Sequence, residues 1–154
     1  QTEEIPADQQ ALFLAKEKAN FISKNNKNCY IICFDTTIHV GKRTIFKSTN
    51  KSECVKVLTL LNNKRHELYT ACVIVKNNKV IAKKVEASFI TFKKNSKNKI
   101  KTYVDKNFNK IVHSVGCYNI ELEGMDVIEK MDGSYFNVLG VPLLFVIKQL
   151  SVLK

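Results

Sequence analysis

The stretch 31-IICFDTTIHVGKRTIFK-47 decides the fold. An apolar run climbs to one acid, Asp35. Two threonines follow, then a second apolar patch, and Lys47 closes the stretch twelve positions after the acid. Residues 29–40 are first continuously apolar and then alternate, which predicts a strand. In α/β sheets, ligand groups gather where strands give way to loops. A carboxylate at the end of an apolar strand is partly desolvated there, and it can hold Mg²⁺ or activate a water. Lys47 is placed to return toward the same mouth on a hairpin, a match for a phosphate. Taken alone, an acid after a strand also reads as a turn residue.

Upstream, residues 7–24 predict a helix, with Ala11, Leu12, Leu14, Ala15, Ala19 and Ile22 near helical spacing. Downstream, residues 50–62 predict a second helix capped by Asn50 or Ser52, with Val55, Leu58 and Leu61 on one face. Residues 66–76 and 79–92 predict two strands joined by 77-NN-78, a hairpin signal. A short helix is expected over 96–106, a strand interrupted by Gly124 over 118–130, and a turn at 132-DGSY-135. The run 138-VLGVPLLFVI-147 reads as a buried strand-to-helix junction leading to a last apolar helix, about 141–152. Helices and strands alternate around one hairpin, so the expected class is α/β with a mixed sheet. No repeat or linker interrupts residues 1–154, which read as a single domain.

The chain's 154 residues suffice for one domain with a sizeable core, and 45% of them are hydrophobic. No apolar run has the length of a membrane span, so no membrane partner is expected. The start, QTEEIPADQQ, is polar and acidic, unlike a signal peptide, and lacks an initiator methionine, as in a fragment or processed chain. The five cysteines, at 29, 33, 54, 72 and 117, form no CxxC pair and mostly sit in apolar runs. They read as buried free thiols of a reducing, cytoplasmic protein, and the three histidines are not clustered with them as zinc ligands. The net charge of +11 can attract polyanions. Its lysines lie in loops beside asparagines, and no aromatic RNA-binding motif or zinc finger accompanies them. They read as a solvated surface without a dedicated nucleic-acid partner.

Several segments occur in a telling order: 14-LAKEKA-19, 33-CFDTT-37, 65-RHEL-68, 90-ITF-92, 103-YV-104, 116-GCYNIE-121 and 133-GSYFNVLGVPL-143. Together they resemble the Maf family, relatives of the septum formation inhibitor that act as nucleoside triphosphate pyrophosphatases. The resemblance covers essentially the whole chain, and its most specific piece is similar to the family's GSYxNVxGLPL. It implies a Maf/ITPase-like domain with a mixed, twisted β-sheet flanked by helices. It implies a cytoplasmic, Mg²⁺-dependent hydrolase that converts dTTP, UTP or modified nucleotides to the monophosphate and pyrophosphate, and a homodimer as the assembly.

Residue by residue, the resemblance makes Asp35 the proton acceptor and metal-site acid and Thr36 a reader of the substrate. Lys47 and Lys18 become phosphate contacts. Glu4, beside Glu3, becomes the second metal ligand, and Glu121 falls where the family carries a substrate-selecting glutamine. That division suits the chemistry, because cleavage between α- and β-phosphates needs a metal, an activated water and cations on the leaving group. His66 reads as a hydrogen-bonding residue at a strand start rather than a base. His39 and His113 read as incidental. Tyr118 and Tyr135 read as core residues with paired hydroxyls, and Gly133 and Gly140 as turn residues.

The chain also departs from the family. It begins after the N-terminal strand and SxSPRR loop, so relative to the family it reads as N-terminally truncated. The lysine of DKAG is Ser114, the glycine of IQG is Leu122, the GKP proline is Ser48, and the GRTH arginine–threonine pair is Lys64–Arg65. An acid at 121 resembles the subgroup acting on 7-methyl-GTP, whereas DTT and GSYFNV resemble the subgroup acting on dTTP and UTP. Without the phosphate loop the enzyme assignment stays open. The alternative is a catalytically degenerate relative that binds a nucleotide or a protein partner in cell-division control.

Overall fold

The computed structural model describes residues 5–121 and 127–153. In chain order the elements are α1 (Ala7–Asn25), β1 (Tyr30–Val40), β2 (Arg43–Ile45), α2 (Lys51–Leu61), β3 (Arg65–Lys76), β4 (Lys79–Phe92), α3 (Lys97–Ile111), β5 (Ile128–Asp132), α4 (Tyr135–Val138) and α5 (Leu143–Val152). The strands form one sheet in the order β2-β1-β3-β4-β5.

Local chemistry sets the strand directions. β1 and β2 pair antiparallel, Ile38 opposite Ile45 and Val40 opposite Arg43, across a turn in which Gly41 takes a φ of 56°. β3 and β4 are joined by Asn77 and Asn78, with φ of 51° and 62°; two successive left-handed residues are what a tight hairpin turn requires, and asparagine tolerates them. β4 and β5 pair antiparallel from Phe89–Asp132 to Phe92–Ile128, with an irregularity at Thr91/Phe92. Between β1 and β3, Asn28 meets Asn77 and Thr36 meets Thr70, contacts that run in opposite directions along the two strands. The α/β class with a sheet flanked by helices is thus as expected. A mixed sheet allows parallel neighbours as well, yet each of these pairings is antiparallel: short turns impose it on β1–β2 and β3–β4, and the contacts and register above give it for β1–β3 and β4–β5.

The chain forms two compact units. The first comprises Gln1–Thr36, Tyr69–Ala87 and Ser134–Lys154. Its core joins Ala11, Ala15 and Ala19 of α1 to Cys33 of β1 and to Ala71, Val73 and Val75 of β3, with Leu12, Ile31, Tyr69 and Val85 packed alongside. Three alanines at a spacing of four give α1 a flat stripe, so the helix axis can approach the sheet closely. Asn77 and Asn78 are tied down by Asn28 and by the buried Ser23 hydroxyl.

The second unit comprises Thr37–Leu68 and Ser88–Gly133. α2 and α3 pack on each other. α2 buries Cys54, Leu58 and Leu61, and α3 buries Ile100, Tyr103, Val104 and Ile111. Each begins on an expected kind of cap: Asn50 accepts from the Glu53 N–H and Ser96 from the Lys99 N–H. Asn62 and Asn95 clasp the segments after α2 and β4 by exchanging side-chain and backbone bonds of 2.9 and 3.0 Å.

Four sequence expectations change. α3 runs on to Ile111 rather than ending near 106, since Asn107 and Ile111 continue its buried face. The strand expected over 118–130 is confined to Ile128–Asp132; residues 113–121 form turns and irregular backbone, with Cys117 at a φ of 56°, and 122–126 lie outside the described residues. The apolar run 138–147 is mostly half-buried rather than buried, with Leu139, Leu144 and Ile147 exposed: Leu144 is 78% accessible, and α5 buries none of its residues. Tyr135 is likewise exposed instead of core, whereas Tyr118 is buried with its hydroxyl paired, as expected.

Candidate functional site

Asp35 lies on β1, where the strand passes from its apolar half to its threonines. The close packing of α1 brings Lys18 over it, and Lys18 Nζ pairs with Asp35 Oδ2. The Asp35 side chain is 14% exposed and the Lys18 side chain 55%, so the acid is held in a sheltered position by a cation that reaches water. The other oxygen, Oδ1, accepts the backbone N–H of Thr36 at 3.0 Å. The thiol of Cys33 shares this environment. Burial raises its pKa, Lys18 pulls it down, and Asp35 pushes it up.

Thr36 extends the site in another direction. Its hydroxyl lies 3.0 Å from that of Thr70 on β3. Thr70 is fully buried and donates to the Asn137 carbonyl at 2.9 Å. The Asn137 amide in turn donates to the Glu86 carbonyl of β4 at 3.1 Å. A chain of hydrogen bonds therefore links β1, β3, β4 and α4. Gly140, with a φ of 96°, turns the backbone after α4 so close to Thr36 that a Cβ there would lie 3.5 Å from the Thr36 hydroxyl. Thr70 escaped the sequence reading, its only signal a lone polar residue in an apolar stretch, and Asn137 figured only within 133-GSYFNVLGVPL-143, with no role of its own.

Of the residues singled out in the sequence, the structure brings Lys18, Asp35 and Thr36 together in the first unit. Lys47 is exposed two residues beyond β2, on the return limb of the expected hairpin, in the second unit. Glu121 also belongs to the second unit, where it is exposed and its backbone N–H donates to the Asn119 side chain. Glu4 lies outside the described residues. His66 sits at the start of β3 and is buried, its Nε2 bonded to the Tyr118 hydroxyl at 3.0 Å, which suits the structural role expected of it.

Among the described residues, no three His, Cys, Asp or Glu side chains stand together as a ready metal cage. Mg²⁺ does not require one; it commonly takes one or two protein carboxylates and completes its shell with water and substrate phosphates. Asp35 fits as one such ligand, provided that Lys18 yields an oxygen lone pair or shares it.

The fold is α/β and the site is a strand-borne acid with a helix-borne cation. A sequence profile described as Maf-like protein matches residues 1–153, and the chain belongs to the Maf family. It is similar to a 7-methyl-GTP pyrophosphatase of Rhizobium meliloti (strain 1021), 32% identical over 148 residues, which cover 96% of this chain and 74% of the relative. It is also similar to nucleoside triphosphate pyrophosphatases of Bradyrhizobium diazoefficiens, at 30% identity over 133 residues, and of Rhodopseudomonas palustris (strain HaA2), at 32% over 134. Those alignments cover 86% and 87% of this chain and 66% of each relative. No helix among the described residues is long and apolar enough to cross a membrane.

Proposed function

We propose that the protein is a nucleoside triphosphate pyrophosphatase that releases the monophosphate and pyrophosphate. The observation carrying this reading is the pairing of Asp35 with Lys18 in a family whose relatives bear that activity in their names. A sheltered carboxylate can accept the proton of an attacking water. The lysine beside it can neutralise the phosphate oxygens on which charge develops. Lys47 is assigned to the phosphates as well, and Thr36 and Glu121 to the choice of substrate. Mg²⁺, held by Asp35 with Glu4 as second acid, would offset the negative charge of the triphosphate. The substrates fitting the resemblance are dTTP and UTP or a modified nucleotide such as 7-methyl-GTP, and the role is removal of aberrant nucleotides in the cytoplasm by a homodimer.

The test is pyrophosphate release by this chain with Mg²⁺ across dTTP, UTP, CTP and 7-methyl-GTP, beside Asp35→Ala. Loss of a proton acceptor lowers such rates by about 10²–10⁴-fold. Equal release by the variant would overturn the assignment. A second reading rests on the occupancy of Asp35, both of whose oxygens already have partners. On that reading the chain binds a nucleotide without turning it over, as a degenerate relative would. Calorimetric binding of UTP without pyrophosphate release is the result that would favour it.

A further inference from the structure

We infer that Thr70 and Asn137 fix the polarity of the Thr36 hydroxyl, so that it meets a ligand only as an acceptor and selects an N–H donor. The inference follows from counting protons. Thr70 has one O–H, and it donates that proton to the Asn137 carbonyl, which can only accept. The remaining bond between the two threonines, 3.0 Å long, must then use the Thr36 proton. Thr36 thereby spends its only donor inward, and its outward lone pairs are what remains for a ligand. The lock is stiff, because Thr70 and Asn137 are both fully buried and the Asn137 amide is itself anchored on β4. Thr36 is half-buried, and Gly140 leaves no side chain beside its hydroxyl.

An acceptor-only hydroxyl is a poor partner for phosphate oxygens, which are themselves acceptors. A sugar hydroxyl can donate or accept, so it would be indifferent to the lock. Set against the ring N3 of a pyrimidine, the contact proposed, a fixed polarity discriminates: the imino N–H of a lactam base such as uracil is accepted and the bare N3 of cytosine is repelled, whereas against the 4-position, an amino group in cytosine and a carbonyl in uracil, the order would reverse. This step rests on the reading of the site as one that takes nucleotides. Thr70 is a positioning residue in this scheme, acting through Thr36.

The experiment compares UTP with CTP, by kcat/KM for pyrophosphate release and by calorimetric affinity for their α,β-methylene analogues with Mg²⁺. The proteins are wild type, Thr70→Val, Thr70→Ser and Thr36→Val. Wild type is expected to favour the uracil compounds by on the order of tenfold or more, the usual consequence of opposing two acceptors in a desolvated site. Thr70→Val frees the Thr36 hydroxyl to donate, and the preference should fall about tenfold toward parity. Thr36→Val should show the same loss, and Thr70→Ser should keep the wild-type ratio. A purely structural role for Thr70 would lower both substrates alike and leave the ratio unchanged. An unchanged ratio in folded Thr70→Val therefore overturns the inference while leaving the pyrophosphatase intact. Discrimination in binding without release of pyrophosphate overturns the pyrophosphatase and leaves the inference standing. Failure to bind either analogue overturns both.

Discussion

His66 shows how much one buried side chain can set. It is 1% exposed, its ring meets Phe92 and Tyr118 edge-on at 5.1 and 5.7 Å, and its Nδ1 has no hydrogen-bond partner among the described residues. A bare ring nitrogen costs less to bury than an orphaned N–H, so the tautomer carrying its proton on Nε2, donated to Tyr118, is favoured. Burial lowers its pKa from 6.5 to about 4. The unfolded chain therefore takes up a proton below pH 6.5 that the folded chain refuses. The stability this confers is complete above pH 6.5 and is lost as pH falls to about 4, about 3 kcal/mol in all. Urea unfolding at pH 7 and at pH 4 should show that drop, and His66→Gln should shrink it. At this scale the sequence was informative about type but not about partner. Asp35 and Lys18 were singled out because a family motif marks each, and the structure pairs them. Thr70 was not, because a threonine within a β-branched strand is unremarkable until its hydroxyl is seen to point at Thr36.

At the scale of elements, caps and turns were the most legible features, because the residue type and the backbone need coincide. Asn50→Ala should cost about 1 kcal/mol in thermal or urea unfolding by removing the cap of α2. Gly133→Ala should cost more. Its φ is 122°, and a Cβ would sit 2.6 Å from the Ser88 hydroxyl and 3.0 Å from the Ser88 Cα, at the edge where β5 meets β4. Backbone strain of that kind is worth about 1–3 kcal/mol before the steric contact is added. α5 was legible as a helix but not in its environment. An apolar run says that burial would be favourable, not that a neighbour is present. Leu144→Lys should accordingly change stability by less than about 0.5 kcal/mol, since that side chain is 78% exposed.

For the whole molecule, the antiparallel order of the sheet was the least legible feature. Alternating helices and strands suggest parallel crossovers, yet two short turns and the β4–β5 pairing override that pattern. Cysteine chemistry was better foreseen. All five thiols are free; Cys29 is exposed and the other four are buried. Burial pushes Cys72 up to about 11 and Cys117 up to about 12, so neither supplies much thiolate at neutral pH. A thiol reagent should label about one site per folded chain at pH 7.5 and all five after unfolding. Labelling of more than two sites without loss of structure would contradict the packing.

The hydrogen-bonded run from Thr36 through Thr70 and Asn137 to Glu86 also constrains how this sequence can change. Thr36 and Thr70 are joined hydroxyl to hydroxyl, whereas Thr70 reaches the main-chain carbonyl of Asn137 and the Asn137 amide reaches the main-chain carbonyl of Glu86. A substitution at either threonine leaves the other with a defect that a second substitution there can relieve. These distant positions should thus drift as a set. In a double-mutant cycle, Thr36→Val and Thr70→Val together should cost less than the sum of the two alone. Random mutagenesis should recover viable changes at one of these sites mainly on backgrounds already altered at the other.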